Sequence, residues 1–202
     1  MAAENSQFER YDASDLRALI TDYPLAWVCA RGNAMEASSL PLIGEYNADG
    51  KLVGLIGHMA KANPLHDSLR QDPNAVILFN GPGSYVSPEH AGLRDWAPTW
   101  NFAQARIAVT MRLDDALTTE SLDVLIDAME RDRASPWHSA EMGSRYHAMA
   151  GAIIGFRAAV DHVHARFKLG QDENDDVLAR ILARHTDAAL VRWMRRFNGG
   201  RG

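Results

Sequence analysis

The chain alternates between two hydrophobic periods, and their order predicts its secondary structure. Apolar residues at every second position, or in unbroken short runs, predict strands at 25–30, 35–43, 51–56, 75–80, 101–113 and 153–163. Apolar residues three and four positions apart predict helices at 16–20, 65–69, 122–129, 139–149, 175–185 and 187–197. Short turns join most of these segments.

The order of these elements indicates the fold class. Six or seven strands occupy the first two-thirds of the chain, and they do not alternate strictly with helices, which argues against a doubly wound parallel sheet. A small, mostly antiparallel barrel with peripheral helices fits better, so the predicted class is mainly β with added α (β+α). Gly81-Pro82-Gly83 is interpreted as a turn, because glycine and proline are the strongest breakers of regular structure.

Composition narrows the class of protein. The 202 residues are 47% hydrophobic and 23% charged, which is typical of one globular domain, with or without a helical appendage. The net charge of −5 gives no general attraction to nucleic acid. No signal peptide or membrane-spanning run is recognisable, so we expect a cytoplasmic protein without membrane association. Cys29 is the single cysteine, which excludes a cysteine-rich zinc site.

One stretch, Gly57 to Pro64, combines three polar side chains at the junction of a strand and a helix. His58, Lys61 and Asn63 follow a buried apolar run, and Asn63 is a plausible N-cap for the helix that Pro64 opens. A loop held by two rigid elements can present several polar groups to one ligand. Alternatively, His58 is a structural histidine at a strand end, which is the commoner case.

Two further segments contain candidate binding residues. Trp96 to Phe102 brings together two tryptophans, a proline and an asparagine, and Trp100 with Asn101 suits either a wall beside a ring-shaped ligand or a corner of the core. Lys168 lies in Phe167–Gln171 and is one of only three lysines, against 18 arginines. No dinucleotide-binding, Walker A or nucleophile-elbow motif is present.

Taken together, four segments resemble the PaiB family of FMN-binding negative transcriptional regulators. They are Gly57-His58-Met59-Ala60-Lys61-Ala62-Asn63-Pro64, Gly81-Pro82-Gly83-Ser84-Tyr85-Val86-Ser87-Pro88, Ala97-Pro98-Thr99-Trp100-Asn101-Phe102 and Phe167-Lys168-Leu169-Gly170-Gln171. The resemblance implies an FMN-binding split β-barrel over residues 1–171 with inserted helices, and a homodimer with the flavin near its interface. Residues 172–202 then form a C-terminal helical extension packed on the same domain.

The resemblance also implies which residues hold the cofactor. Lys61, Ser39 and Lys168 would bind the phosphate or the electron-rich edge of the ring, and Trp100 and Asn101 would flank the ring. The other candidates, His58 and Asn63, belong to the first motif. The chain departs from the family at Ser39, where a histidine is usual, and this departure bears on the identity of the cofactor.

The same family includes haem-dependent piperazate synthases, which this chain also resembles at His58 and at residues 97–102. This second resemblance implies haem b, with His58 as the axial iron ligand and Lys61 or an arginine holding a propionate. A third alternative is a dimer whose pocket binds another molecule. We favour a flavin-linked regulatory or redox protein, whose enzymatic status stays open. Because no helix-turn-helix or basic recognition helix is found, we expect no direct sequence-specific DNA binding.

Overall fold

The structure is a computed structural model that describes residues 6–31 and 36–201, the side chain of His147 excepted. Six strands are found in this part of the chain: β1 Leu25–Ala30, β2 Ala37–Tyr46, β3 Leu52–Ala60, β4 Asn74–Val86, β5 Thr99–Asp114 and β6 Ile153–Lys168. The α-helices are α1 Ala13–Asp22, α2 Pro64–Gln71, α3 Pro88–Ala91, α4 Thr118–Glu130, α5 Arg145–Ala150, α6 Asp175–Arg184 and α7 Ala188–Phe197. Three short 3₁₀ turns are Gln7–Glu9, Asp115–Leu117 and Ser139–Met142.

The strands form a closed antiparallel barrel in the order β1-β2-β3-β6-β5-β4, which confirms the predicted fold class. The predicted β1–β2 hairpin is present, with Trp27 paired to Ser39 and Leu25 paired to Pro41. Strand β3 then pairs with β2 on one side and β6 on the other. The candidate stretch around His58 therefore begins inside the sheet.

The chain divides into two compact units. We call Ala13–Phe79 with Arg106–Val163 the barrel unit, and Met1–Asp12 with Asn80–Ala105 and His164–Gly202 the terminal unit.

The barrel unit is built around an apolar interior, to which the inward-facing side chains of β2 and β3 contribute. Leu42, Leu55, Met59 and Phe156 are all at most 2% exposed. Gly57 lies among them, and a Cβ added there would come within 2.6 Å of Leu42 and 2.9 Å of Phe156. The alternation that predicts strands also decides which side chains of β3 face outward.

The terminal unit has a core of its own, which includes a cluster of aromatic rings. Phe167 stacks on Phe197 at 4.8 Å and on Trp193 at 6.0 Å, and Tyr11 packs against it at 5.4 Å. Helices α6 and α7, at the end of the chain, belong to this unit.

The helix predicted at 139–149 is divided into the 3₁₀ turn Ser139–Met142 and the short helix α5. Another expectation is wrong. Gly81-Pro82-Gly83 does not turn the chain but lies inside β4. A Cβ added at Gly83 would lie 3.4 Å from the Cβ of Phe102, and Pro82 is buried. This distance is an ordinary van der Waals contact, so Gly83 is compatible with the strand but is not required there by crowding.

Candidate cofactor site

His58 faces outward from the barrel. Its neighbours along β3, Gly57 and Met59, are buried in the interior, whereas His58 is only half-buried, as the alternation of a strand requires. Leu42 pairs with Gly57, so Pro41 and His58 are neighbours on the outer surface. Pro41 in turn pairs with Leu25. We call the surface formed by Leu25, Trp27, Ser39, Pro41 and His58 the outer barrel face.

The start of α4 closes one side of His58. Gly155 is the β6 partner of His58, and a Cβ added to it would lie 2.5 Å from the carbonyl carbon of Leu117. The Gly155 backbone N–H donates to the Thr118 hydroxyl at 3.1 Å. A glycine is thus required at position 155 for the helix start to approach the sheet beside the imidazole.

The His58 imidazole has bonding capacity that the described residues do not use. Its Nδ1 atom is buried and has no hydrogen-bond partner among them. Nε2 does not share this burial, so it is the ring atom that a ligand can reach. Burial lowers the pKa of His58 below its ordinary value of 6.5, which keeps the ring neutral at pH 7. A neutral imidazole with an accessible Nε2 can form a hydrogen bond or ligate a metal.

Lys61 forms an ion pair with a residue that sequence reasoning missed. Its Nζ lies 2.7 Å from Oδ1 of Asp115, and both side chains are substantially exposed, at 42% and 73%. The hydrogen bond from Lys61 lowers the pKa of the Asp115 carboxyl. No local pattern links two residues this far apart in sequence, so only the fold reveals the pair.

Asn63 is the N-cap of α2, as predicted. Its Oδ1 accepts hydrogen bonds from the Leu65 backbone N–H and from the Ser38 hydroxyl, both at 3.0 Å. Ser38 is the serine that contacts this loop, whereas Ser39 is exposed on the outer barrel face opposite Trp27.

An apolar surface adjoins these polar groups. Leu25 is 61% exposed and Trp27 is 48% exposed, and the two side chains lie on the same face of β1. Trp27 pairs with Leu78 on its other side, so the apolar surface continues onto β4.

The remaining predicted residues lie in the terminal unit. Trp100 is 59% exposed and meets the edge of Tyr85 at 6.2 Å between centroids. Asn101 is 2% exposed, and its Nδ2 lies 3.7 Å from the Met194 sulfur while its Oδ1 has no partner among the described residues. Trp100 and Asn101 therefore face opposite sides of β5.

Lys168 is held within the terminal unit. Its ammonium donates to the Thr99 hydroxyl and lies 5.8 Å from the centre of the Phe8 ring.

The predicted set therefore divides between the two units. Ser39, His58, Lys61 and Asn63 belong to the barrel unit, whereas Trp100, Asn101 and Lys168 belong to the terminal unit. Their roles in cofactor binding stay predictions.

Two further findings concern the part of the chain that the structure describes. No group of three or more His, Cys, Asp and Glu side chains is arranged there to hold a metal ion. No helix in residues 6–31 and 36–201 has both the length and the apolar character needed to cross a bilayer.

Comparisons with known proteins place the chain in a family. Residues 4–162 match the family described as "Putative FMN-binding domain". The protease synthase and sporulation protein PAI 2 of Bacillus subtilis is 27% identical over 143 residues, which cover 69% of this chain and 67% of that protein.

Two solved structures are similar in fold. The FAD and heme binding protein of Mycobacterium smegmatis has a TM-score of 0.60 and 17% identity, over 86% of this chain and 80% of that one. The flavocytochrome Anf3 of Azotobacter vinelandii has a TM-score of 0.57 and 18% identity, over 83% and 73%. Both share the barrel fold, which confirms the split-barrel expectation. The chain therefore belongs to the PaiB-like family of FMN-binding split-barrel proteins.

Proposed function

We propose that this chain binds FMN on the outer barrel face as a homodimer and acts as a flavin-linked redox or regulatory protein. The observation that carries this proposal is His58, a neutral imidazole with an accessible Nε2 beside an exposed apolar surface. Family membership supplies the cofactor class, FMN.

The residues present fit the chemistry of FMN. Its flat ring system needs an apolar surface and a few hydrogen-bonding groups, which Trp27, Ser39 and His58 offer. When bound, FMN supplies hydride and single-electron transfer. The protein's contribution is to orient the ring, and the Nε2 of His58 is the group we propose for this task.

The phosphate of FMN needs a cation, and Lys61 is our candidate. Its ion pair with Asp115 is exposed, and exposed pairs contribute little to stability, so a phosphate can compete for the lysine. Lys168 is the alternative cation and Trp100 the alternative aromatic contact in the terminal unit. We propose that Asn63 supports the loop rather than touching the cofactor, because its Oδ1 is already shared by two donors.

A second copy of this chain is the partner we propose for the exposed apolar side chains. Leu25 and Trp27 are the largest apolar groups of the outer barrel face, and burying them would stabilise a dimer at about 25 cal/mol per Å² of apolar surface. A two-fold interface is self-complementary, so one exposed patch supplies both halves. The flavin would then lie near the interface, and its binding would be linked to assembly.

Any regulatory role is proposed to be indirect. The net charge is −5. The basic residues of α7 lie on a helix whose apolar side, which includes Leu190, Trp193 and Met194, is buried. We therefore expect no sequence-specific DNA binding by the isolated protein, and a footprint that survives competitor DNA at physiological salt would contradict this.

Haem b is the second candidate cofactor, and the same imidazole favours it. A neutral histidine with a free Nε2 is the usual form of a proximal haem ligand. In that case His58 would bind the iron, and Lys61 would hold a propionate.

The visible absorption spectrum of the purified protein separates the two cofactors. We expect the purified protein to show a flavin doublet. If it does not, the doublet should appear when FMN is added, and one FMN should bind per chain. A Soret band that His58→Ala abolishes would establish haem instead, and neither signal after addition of both cofactors would overturn the proposal.

A further inference from the structure

A cavity in the barrel unit lies between α1, β2 and the end of α4. Its volume is about 260 Å³, and Arg17, Ile20, Ile43, Tyr46, Met129 and Arg131 are among the residues that line it. It shares no lining residue with the outer barrel face. Helix α4 separates the cavity from the region of His58. Its first residue, Thr118, lies beside the partner strand of His58, and Met129 near its other end lines the cavity. The 13 residues of the helix span about 20 Å.

The charged side chains that line this cavity, Arg17 and Arg131, are both positive. The side chains of Arg17 and Arg131 form no ion pair or hydrogen bond with any of the described residues. The chain as a whole carries a net charge of −5, so two unpaired guanidinium groups at one cavity are a local excess of positive charge. Guanidinium groups bind carboxylates and phosphates through paired N–H donors, so the cavity selects for an anion.

Tyr46 holds one of these cations in place. The Arg17 guanidinium carbon lies 3.9 Å from the centre of the Tyr46 ring, a cation–π contact that keeps the flat group against the ring and leaves its N–H edge free. The Tyr46 hydroxyl is buried and has no hydrogen-bond partner among the described residues, and burial raises its pKa. The ring that holds Arg17 thus also carries a polar group with unused hydrogen-bonding capacity.

The rest of the wall is apolar. Ile20 is 2% exposed, whereas Met129 is 43% exposed at the edge of the cavity. The volume is slightly below the range of about 300–1,000 Å³ that is common for ligand sites, so the ligand must be small. An apolar wall with two cations favours a carboxylate attached to a short aliphatic chain or a single ring, rather than a bare inorganic anion.

We propose that this cavity is a second ligand site, which binds a small organic carboxylate independently of the flavin. The carboxylate is held by Arg17 and Arg131, and its apolar body lies against Ile20, Ile43 and Met129.

Benzoate and benzamide test this proposal, because they share a ring and differ in charge. We expect benzoate, added to the 202-residue chain saturated with FMN, to shift the NMR signals of residues 43–46 and 128–131. Benzamide and inorganic phosphate should bind at least about tenfold more weakly, because benzamide lacks the negative charge and phosphate lacks the apolar ring. The same titration without FMN should give the same result, which separates this site from the flavin proposal.

Matched variants assign the recognition to individual residues. Arg17→Gln and Arg131→Gln should each weaken benzoate binding by about tenfold or more, and Tyr46→Phe should cause a smaller loss. Arg106→Gln removes the same charge from an exposed position on β5 outside the cavity and should leave the affinity unchanged. Equal affinity for benzoate and benzamide, or full affinity in the Arg17→Gln variant, would overturn the proposal. The comparison of benzoate with benzamide uses the unmodified chain, so it does not depend on the folding of a variant.

Discussion

Two segments that stand out in the sequence differ in how their polar groups are used. In Gly57–Pro64, the Nδ1 of His58 has no partner among the described residues, and Lys61 has only an exposed ion pair. In Phe167–Gln171, the Gln171 side chain donates to the Phe167 carbonyl at 2.6 Å and accepts from the Leu169 N–H at 2.7 Å.

The second segment is further closed by its surroundings. Asn198 donates to the Leu169 carbonyl at 3.0 Å, and Gly170 has a φ of 88° with Met194 and Leu178 packed against it. A segment whose backbone is satisfied internally serves the fold, whereas one with spare capacity can serve a ligand. We therefore interpret Phe167–Gln171 as a structural turn that positions Lys168, and Gly57–Pro64 as the principal ligand segment.

The largest effect is expected at Gly170. A valine there would combine a left-handed backbone with a Cβ only 3.0 Å from the Met194 methyl carbon, and should lower the free energy of unfolding by about 3 kcal/mol or more. Gly200→Val is the control, because Gly200 has a φ of 96° but nothing within 4 Å of the added Cβ. Denaturant unfolding measures both, and equal losses would show that crowding at the turn is not important.

A smaller loss of stability is expected from Gln171→Ala. The change leaves the Phe167 carbonyl and the Leu169 N–H without their protein partner, which should cost about 1–2 kcal/mol. Gln104→Ala, at an exposed position of the same unit, is the control. Unchanged stability in the Gln171→Ala variant would contradict the structural interpretation of the turn.

His58→Ala should behave in the opposite way. We expect FMN affinity to fall by about 2- to 12-fold, the value of one hydrogen bond, with little loss of stability because the buried Nδ1 has no partner to lose. Fluorescence titration of FMN measures the affinity, with His162→Ala on the exposed face of β6 as the control. If both histidine variants bind FMN as the unmodified chain does, His58 is structural.

Stability should also depend on pH through His58. Because burial lowers the pKa of His58 in the folded protein, the unfolded chain binds the proton more readily as the pH falls below about 6.5. The stability contribution is complete above that value and is lost as the pH falls toward the folded pKa. His58→Gln should flatten this part of the pH profile of thermal unfolding; an unchanged slope would assign it to other groups.

Asp115→Asn gives the smallest expected effect. Removing the carboxylate frees Lys61 for the phosphate, so FMN should bind more tightly, by no more than about fivefold and less at high salt. Lys61→Gln should weaken binding instead. Weaker binding in the Asp115→Asn variant would show that the ion pair itself shapes the site.

The fold was largely predictable from the sequence, because it depends on patterns that local residues carry. The alternation along β5 and the Asn63–Pro64 helix start both have the predicted structure. Gly81-Pro82-Gly83 was wrongly predicted to be a turn, because pairing of β4 within the barrel outweighs the local preference of glycine and proline for turns.

The candidate site was less predictable, because it depends on contacts between distant residues. The pairing of Lys61 with Asp115 and the contact of Ser38 with Asn63 require knowledge of which elements meet. Likewise, Trp100 and Asn101 are adjacent in sequence, but the pleat of β5 directs one to solvent and the other into a core.

The central claim is that FMN binds at His58, and NMR of the protein labelled with ¹⁵N in its histidine rings tests it directly. The chain has eight histidines, and the spectrum of His58→Gln identifies the signals of His58 by their absence. On adding FMN we predict that the Nε2 signal of His58 shifts while those of His162 and His164 do not. Saturation with FMN without any change in the His58 signals would contradict the account.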